Sequence, residues 1–419
     1  MTARRTRRAA LLLAGATLLA IAASTPARAD TVTDWNQQAT DALIVTAGQG
    51  PTVSVLHLAM VHGAVYDAVN AIDRRHEPYL AAPRARSWYS QDAAASTAAY
   101  RVLVSIVPAQ QVALEAHYHA SLAAIPEGKA KAGGIAVGET SAAQMIAART
   151  RDGRFGPFRF FVGSEPGRWR PVLPAFVNDP NAWVARVRPF LIDSPSQFRS
   201  HGPNALDRQR YAREFAEVKS IGSLNSTTRT ADQTDMARFW AEHGLAMWSR
   251  VFRQLSAGHG LRTAESARFF AMLNLTAADA AISCWDDKAH WGFWRPITAI
   301  READTDGNPA TKADPGWLPL LATPPYPDHP SGHGCVSGSI TKTLRDFLGT
   351  DRAEFSATSA TSGTTRSFTR FSQAIEEIVN ARVYSGIHFR TADEQGARIG
   401  KQVASWRERH YFEPVDSDD

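Results

Sequence analysis

The chain has 419 residues, 44% of them hydrophobic, enough to bury a substantial core in one large domain or two. Its formal charge of +5 invites a nucleic-acid partner, but Arg4, Arg5, Arg7, Arg8 and Arg28 all fall in the first 29 residues, which carry no acid. Setting those five aside leaves 41 basic residues against 41 acidic ones, so the rest of the chain has no overall electrostatic reason to prefer DNA or an anionic membrane.

Residues 1–29 read as an export signal. Arg4 to Arg8 precede an apolar run from Ala9 to Ala23, and Ala27-Arg28-Ala29 is an A-x-A cleavage pattern. Thr6-Arg7-Arg8 before Ala-Ala-Leu-Leu resembles a twin-arginine signal; an ordinary secretory signal with a basic start is the alternative. The expected location is extracytoplasmic. After Asp30 no run of about 18 uninterrupted apolar residues occurs, so no membrane span is expected. Cys284 and Cys335 allow either one disulfide or two buried thiols.

Apolar positions recur at helical spacing from Pro51 to Ile72, and further amphipathic stretches predict helices over Ala93–Val107, Val112–Ile125 and Ala130–Arg149. Gly153 to Pro203 is dense in Pro, Gly, Trp and Phe and predicts a long ordered loop draped over those helices. Helical periodicity resumes over Asn204–Ile221, Ala231–Leu255, Thr263–Phe293, Gly334–Phe347, Phe371–Val383 and Ala392–Trp406. Strand alternation is scarce, so the class is mainly α. The Ser/Thr-rich Ser356–Thr369 is expected to be a surface loop. Asp304-x-Asp306-x-Asn308 imitates the opening of a calcium loop without its later Glu, so a plain turn is expected. The organisation is therefore 1–29 signal, 30–230 N-terminal helices with the Pro/Trp-rich loop, and 231–419 a catalytic helical region forming one compact unit with what precedes it.

Three segments carry the chemistry. In Lys288 to Pro296, Lys288 and Arg295 are seven residues apart, two helical turns, so both are expected to project from one face among Trp291, Phe293 and Trp294. In Pro327-Asp-His-Pro330-Ser331-Gly332-His333, Pro and Ser open a helix whose backbone N–H groups suit a tetrahedral oxyanion, and His333 falls in the first turn, where the helix dipole lowers its pKa. In Arg382 to His388 the two side chains lie about 120° out of phase on a continuous helix and converge more easily if it breaks near Gly386. Singly, these segments also fit a basic edge with an aromatic stripe, a simple N-cap, and a core histidine beside a surface arginine.

Taken in order, the segments resemble the family uniting vanadium-dependent haloperoxidases, in particular their bacterial soluble branch, with bacterial acid phosphatases and lipid phosphate phosphatases. The signature K-x6-R-P, P-S-G-H and S-R-x5-H-x3-D is matched by Lys288 to Pro296, Pro330 to His333, and Arg382 to His388. Trp35-Asn36, His62 with Tyr66-Asp67, Pro166-Gly167-x-Trp169, Phe239-Trp240 and Thr323 to Pro327 look like the bacterial soluble haloperoxidases as well. The resemblance implies a helical bundle and a vanadate cofactor, with phosphate able to occupy the same site. It implies that Lys288, Arg295 and Arg382 neutralise the vanadate oxygens, that Ser331 and the Gly332 amide donate hydrogen bonds, that His388 is the metal ligand to vanadium, and that Lys288, His333 and His388 are catalytic, His333 as acid–base group. Two positions depart from the signature: Ala381 stands where Ser is usual, and Ala392 stands where the phosphatases have Asp, with Asp393 one residue on. A one-residue shift turns a helical side chain by about 100°, so Asp393 is not expected to orient His388.

The implied reactants are hydrogen peroxide, a halide and a small organic substrate. The alternatives are a secreted acid phosphatase, with His388 attacking phosphorus and His333 protonating the leaving alcohol, and a non-enzymatic secreted helical interaction protein. His290 and His329 are candidates to tune His333. Tyr326, seven residues before His333, is placed by the resemblance near the halide path without revealing the halide. A dimer is compatible with the sequence, which contains no seam that demands one.

Overall fold

The structure is a computed structural model that describes residues 30–415, so the expected export signal lies outside the described residues. The N-terminal part holds α1 (Thr31–Thr40), α2 (Pro51–Asp73), α3 (Gln91–Ile106), α4 (Gln111–Ala123) and α5 (Lys129–Ala148). Asp30 caps α1, a helix the periodicity did not single out, by accepting from the Val32 and Thr33 amides at 2.8 and 3.0 Å. Among the described residues α2 is the one helix apolar enough to cross a membrane by composition, and its whole apolar window is buried inside the bundle. Residues 153–203 drape over this layer as predicted, with one short 3-10 turn at Ala182–Arg186.

Then follow α6 (Gln209–Ile221), α7 (Ala231–Phe239), α8 (Gly244–Gly258), the 29-residue α9 (Thr263–Trp291), α10 (Pro296–Arg301) and α11 (Gly332–Leu348). After a hairpin of β1 (Arg352–Thr358) and β2 (Thr365–Arg370), α12 (Phe371–Tyr384) and α13 (Arg390–His410) close the fold. The central α9 packs on α2, α11 and α13. A single apolar core joins both parts, and a smaller cluster around Tyr211, Trp294 and Phe389 lies beneath α6 and α10.

Three expectations are corrected. Ser356–Thr369 is not a surface loop: it forms most of an antiparallel hairpin, because Phe355 and Phe368 alternate with Ser and Thr and bury one face against Trp240, Trp248 and Phe371. The helix expected over Ala231–Leu255 breaks between Phe239 and Gly244, where His243 becomes the N-cap of α8. Lys288 and Arg295 do not share a helix face, since α9 ends at Trp291 and Gly292 turns the chain through a left-handed conformation (φ 53°). The Asp304–Asn308 segment is the expected plain turn, with Asp306 accepting from the Asn308 amide and the Thr311 hydroxyl.

Two contacts fix the parts that matter. α11 and α13 cross backbone to backbone, and a Cβ at Gly400 would collide with the Cys335 carbonyl. The draped loop is held by Asp279 of α9, whose carboxylate accepts from the Phe190, Leu191 and Ile192 amides at 2.6, 2.6 and 2.9 Å. Burial raises this carboxyl to about 6 while those bonds oppose it. Asp279→Ala strands three buried donors and is expected to cost about 3–5 kcal/mol, read as the shift of the urea unfolding midpoint; a change under about 1 kcal/mol would contradict the anchoring role.

Candidate active site

Four breaks in helical structure meet at one place. Gly292 ends α9 and turns the chain so that Arg295 becomes the N-cap of α10. The turn is clamped by the loop, with the Trp169 amide bonding the Gly292 carbonyl at 2.8 Å and the Trp294 amide bonding the Gly167 carbonyl at 3.0 Å. Ser331 is the N-cap of α11, its hydroxyl accepting from the Gly334 amide at 3.4 Å, so Gly332 and His333 open the first turn as predicted. Gly386, at φ 76°, ends the segment after α12, and a Cβ there would strike the Gly222 carbonyl. That break brings His388 round to the side of Arg382. The fourth break, between α7 and α8, presents the Trp240 carbonyl to Arg382 Nη1 at 3.4 Å.

The result is a cradle of buried cations. Lys288 and Arg295 are fully buried and Arg382 nearly so. Lys288 Nζ donates to the Pro327 and Asp328 carbonyls at 2.7 and 3.1 Å. Arg295 donates through Nε to the Tyr326 carbonyl (2.8 Å) and through Nη1 to the Ile387 carbonyl (2.6 Å). The Tyr326 ring lies 4.9 Å from both Lys288 Nζ and the Arg295 guanidinium carbon, and Trp285 lies 5.7 Å from Lys288, so the apolar wall is itself a cation–π surface. Arg295 Nη2, Arg382 Nε and His333 Nε2 are buried without any hydrogen-bond partner. Buried donors are almost always satisfied, so the two open guanidinium N–H groups, with the partnerless His333 Nε2 near Arg382, mark a place for an acceptor-rich ligand.

His388 is buried and oriented by a residue the motif reading did not assign. Its Nδ1 bonds Asp328 Oδ1 at 2.8 Å, which puts the proton on Nδ1 and leaves the Nε2 lone pair facing Arg295 Nη1 at 3.1 Å. Asp393 instead lies by Ser331 and Arg382, fully buried. The expectation that Asp393 does not orient His388 therefore holds, yet the role is filled from another segment. Asp328 stood in view in the Pro327–His333 run, and its position beside the helix-opening motif was the one signal for it.

Electrostatics follow from desolvation. Burial pulls the Lys288 ammonium down to about 8, with Arg295 adding to the effect. Burial pushes the Asp328 carboxyl up to about 7 against the pull of Arg295 and Lys288. His388 and His333 are both held well below the ordinary histidine range, first by burial and then by Arg295 and by Arg382 respectively. Both rings are therefore neutral bases at pH 7. The tuning expected of His290 and His329 is corrected: His290 is exposed and packs on Trp291, and His329 Nε2 bonds the Ser200 hydroxyl at 2.8 Å rather than His333. Cys284 and Cys335 are buried, unbridged thiols that meet beneath the site.

His333 also faces a cavity of about 200 Å³ whose lining includes Leu245, Trp248, Trp285, Tyr326, Val336 and Asp179. Among the described residues no three His, Cys, Asp or Glu side chains cluster as a divalent-cation site would require. The donor set suits a multiply charged oxyanion instead: three cations, helix-opening amides, and one imidazole lone pair.

Fold and site together define a helical-bundle protein with a buried oxyanion cradle. Residues 268–417 match the family model described as the VCPO second helical-bundle domain. The vanadium chloroperoxidase of Curvularia inaequalis is 25% identical over 236 residues, covering 46% of this chain and 38% of that protein's length. The solved structure described as the first bacterial vanadium-dependent iodoperoxidase is 25% identical with a TM-score of 0.79, covering 93% of this chain and 98% of that one. A holo-type bacterial vanadium-dependent chloroperoxidase shares the fold, at a TM-score of 0.70 and 17% identity, over 91% of this chain and 97% of that one. The chain is thus similar to the vanadium haloperoxidases in sequence as well as in fold, and the resemblance read from three short motifs extends to nearly its whole length.

The cradle can be tested with a plain oxyanion. Sulfate keeps its charge across neutral and alkaline pH, whereas Lys288 is an ammonium below about 8 and neutral above it, and Asp328 turns negative above about 7. Both changes disfavour an anion, so calorimetric sulfate affinity is expected to fall as pH rises from 6.5 to 9.5, by up to about tenfold per unit for each group past its pKa. Lys288→Met is expected to flatten the limb above pH 8. An affinity that does not change with pH would contradict this charge assignment.

Proposed function

We propose that this protein is a vanadate-dependent haloperoxidase, exported through its N-terminal signal, that uses hydrogen peroxide to oxidise halide to hypohalous acid or an equivalent, which then halogenates an organic substrate. The observation that carries the reading is the buried cradle, with three cations and two neutral imidazoles converging where Arg295 Nη2, Arg382 Nε and His333 Nε2 lack partners. The likeness in sequence and fold to vanadium haloperoxidases supports it.

Vanadate fits these residues. Lys288, Arg295 and Arg382 would hold its charge, Ser331 and the Gly332 amide would add neutral donors, and the His388 Nε2 lone pair would meet the metal. Vanadate so held supplies a Lewis acid that activates peroxide toward attack by halide. Asp328 keeps the proton on His388 Nδ1, so Nε2 stays a ligand rather than a donor. His333, neutral because it is desolvated beside Arg382, takes up a proton at Nε2 from an incoming oxygen and returns it later. Lys288 would keep a proton donor beside the bound oxygens, and the rings of Trp285 and Tyr326 packed on it lower the local polarity, which strengthens each of these interactions.

Phosphate has the same shape and charge type, and the Asp328–His388 pair would also serve a phosphohistidine enzyme, so acid phosphatase activity is the second reading. A non-enzymatic interaction protein leaves the convergent cations and histidines without a purpose.

The test is halogenation of a phenolic probe by purified protein with peroxide and iodide, bromide or chloride, before and after orthovanadate is added. Vanadate-dependent turnover is expected. His388→Ala is expected to lose both vanadate affinity and turnover, whereas His333→Ala should still bind vanadate while turnover drops by about 10² or more. No halogenation with any halide, together with vanadate-inhibited hydrolysis of an aryl phosphate, would replace this reading with the phosphatase.

A further inference from the structure

The cavity beside His333 is built for more than peroxide and halide. Its volume is about 200 Å³, whereas an apolar protein cavity of about 150 Å³ already takes a benzene molecule. Space for one substituted aromatic ring is therefore present. The largest wall groups are two indoles, a phenol ring and two aliphatic side chains, Trp248, Trp285, Tyr326, Leu245 and Val336, with the neutral polar Thr52, Asn181 and Ser337 among them. Such walls bind a flat apolar ring by edge and face contacts.

One charged group breaks this apolar lining. Asp179 is 5% exposed and shares the cavity with His333. Its Oδ1 accepts from the Asn181 amide at 2.9 Å and its Oδ2 accepts from Trp285 Nε1 at 3.2 Å. Each carboxylate oxygen offers two lone pairs, so each keeps one acceptor site after these bonds. Its backbone amide is bonded to the Pro325 carbonyl at 2.9 Å, which ties the carboxylate to the segment carrying Tyr326. A rigidly held carboxylate with spare lone pairs in an apolar cavity calls for a donor on the occupant.

We propose that this cavity is the binding site of the organic substrate, that the substrate is a single-ring phenol, and that Asp179 accepts the phenol O–H and orients the ring against Trp285 and Tyr326 beside His333. The inference rests on the haloperoxidase reading for its chemistry. Hydrogen bonding of the O–H to a carboxylate pushes electron density into the ring and favours attack on an electrophilic halogen. In that step hypohalous acid delivers the halogen, a carbon–halogen bond replaces an aryl C–H bond, and the ring proton leaves with the hypohalous hydroxide as water. The substrate is thus modified while it is held, rather than only by an oxidant that has diffused away.

Binding is tested apart from turnover, in vanadate-free protein, by titrating 4-methylphenol and 4-methylanisole, which share a ring but differ in the O–H donor. The unmodified protein is expected to bind the phenol at least tenfold more tightly, the range of a hydrogen bond to a charged acceptor. In Asp179→Asn the amide carbonyl can keep the Asn181 bond, which turns the NH₂ toward Trp285 and the ligand, and the preference is expected to vanish. Gly244→Phe, at a lining position where an added Cβ meets nothing within 4 Å, is expected to weaken both ligands at least tenfold without lowering the thermal midpoint. Equal affinity for the two ligands, or a preference that survives Asp179→Asn, would overturn the proposal. Vanadate-dependent oxidation of iodide to triiodide, measured alongside, reports on the haloperoxidase reading alone. If triiodide forms but the phenol shows no preference, the substrate site is wrong; if the preference is found without triiodide, the site stands and the peroxidase reading falls.

Discussion

Three cations buried together with too little negative charge are the constraint on which the rest of the structure depends. Lys288, Arg295 and Arg382 are removed from water, and Asp328 and Asp393 are the carboxylates facing them. Isolated charges in a protein interior cost several kcal/mol each unless they are paired and hydrogen-bonded. The fold partly offsets that cost with backbone carbonyls from Tyr326, Pro327, Asp328 and Ile387 and with the ring of Tyr326. It leaves two guanidinium donors, Arg295 Nη2 and Arg382 Nε, without partners, and an oxyanion bound there would complete the balance.

Helix ends supply the geometry. An unbroken helix spreads its side chains around a cylinder, so four helices running past one another would not aim this many groups at one spot. Here α9 stops at Gly292, α11 starts at Ser331, and the chain turns at Gly386 and again between α7 and α8. Each break turns a side chain or an amide inward. The breaks are in turn held by distant contacts, the 167–169 segment of the draped loop against Gly292 and Trp294 and the close crossing of α11 on α13. The cost of packing cations is thus shared with contacts far from the cradle in sequence.

Much of this was legible in the sequence, because helical periodicity and the ordered motifs report directly on local structure. The long helices, the draped loop, the N-cap at Ser331 and the break at Gly386 were all readable from residue types at fixed spacing. What was missed depends on tertiary contact. The Phe355–Phe368 pairing is a cross-strand contact hidden within a Ser/Thr-rich stretch that resembles a loop. Lys288 and Arg295 converge through a glycine turn rather than through helical phase. Asp328 takes the place of the shifted Asp393 beside His388, and no spacing rule links residues 60 apart in the chain. The displacement of Asp393 therefore says nothing about peroxidase against phosphatase chemistry.

The most direct measurement is a crystal structure of the protein grown with orthovanadate, with diffraction recorded at the vanadium absorption edge. One anomalous peak is expected in the cradle, at bonding distance from His388 Nε2, with Asp328 still holding Nδ1 and with Arg295 Nη2 and Arg382 Nε turned to the vanadate oxygens. A cradle without vanadium, or vanadium bound elsewhere on the chain, would contradict the account.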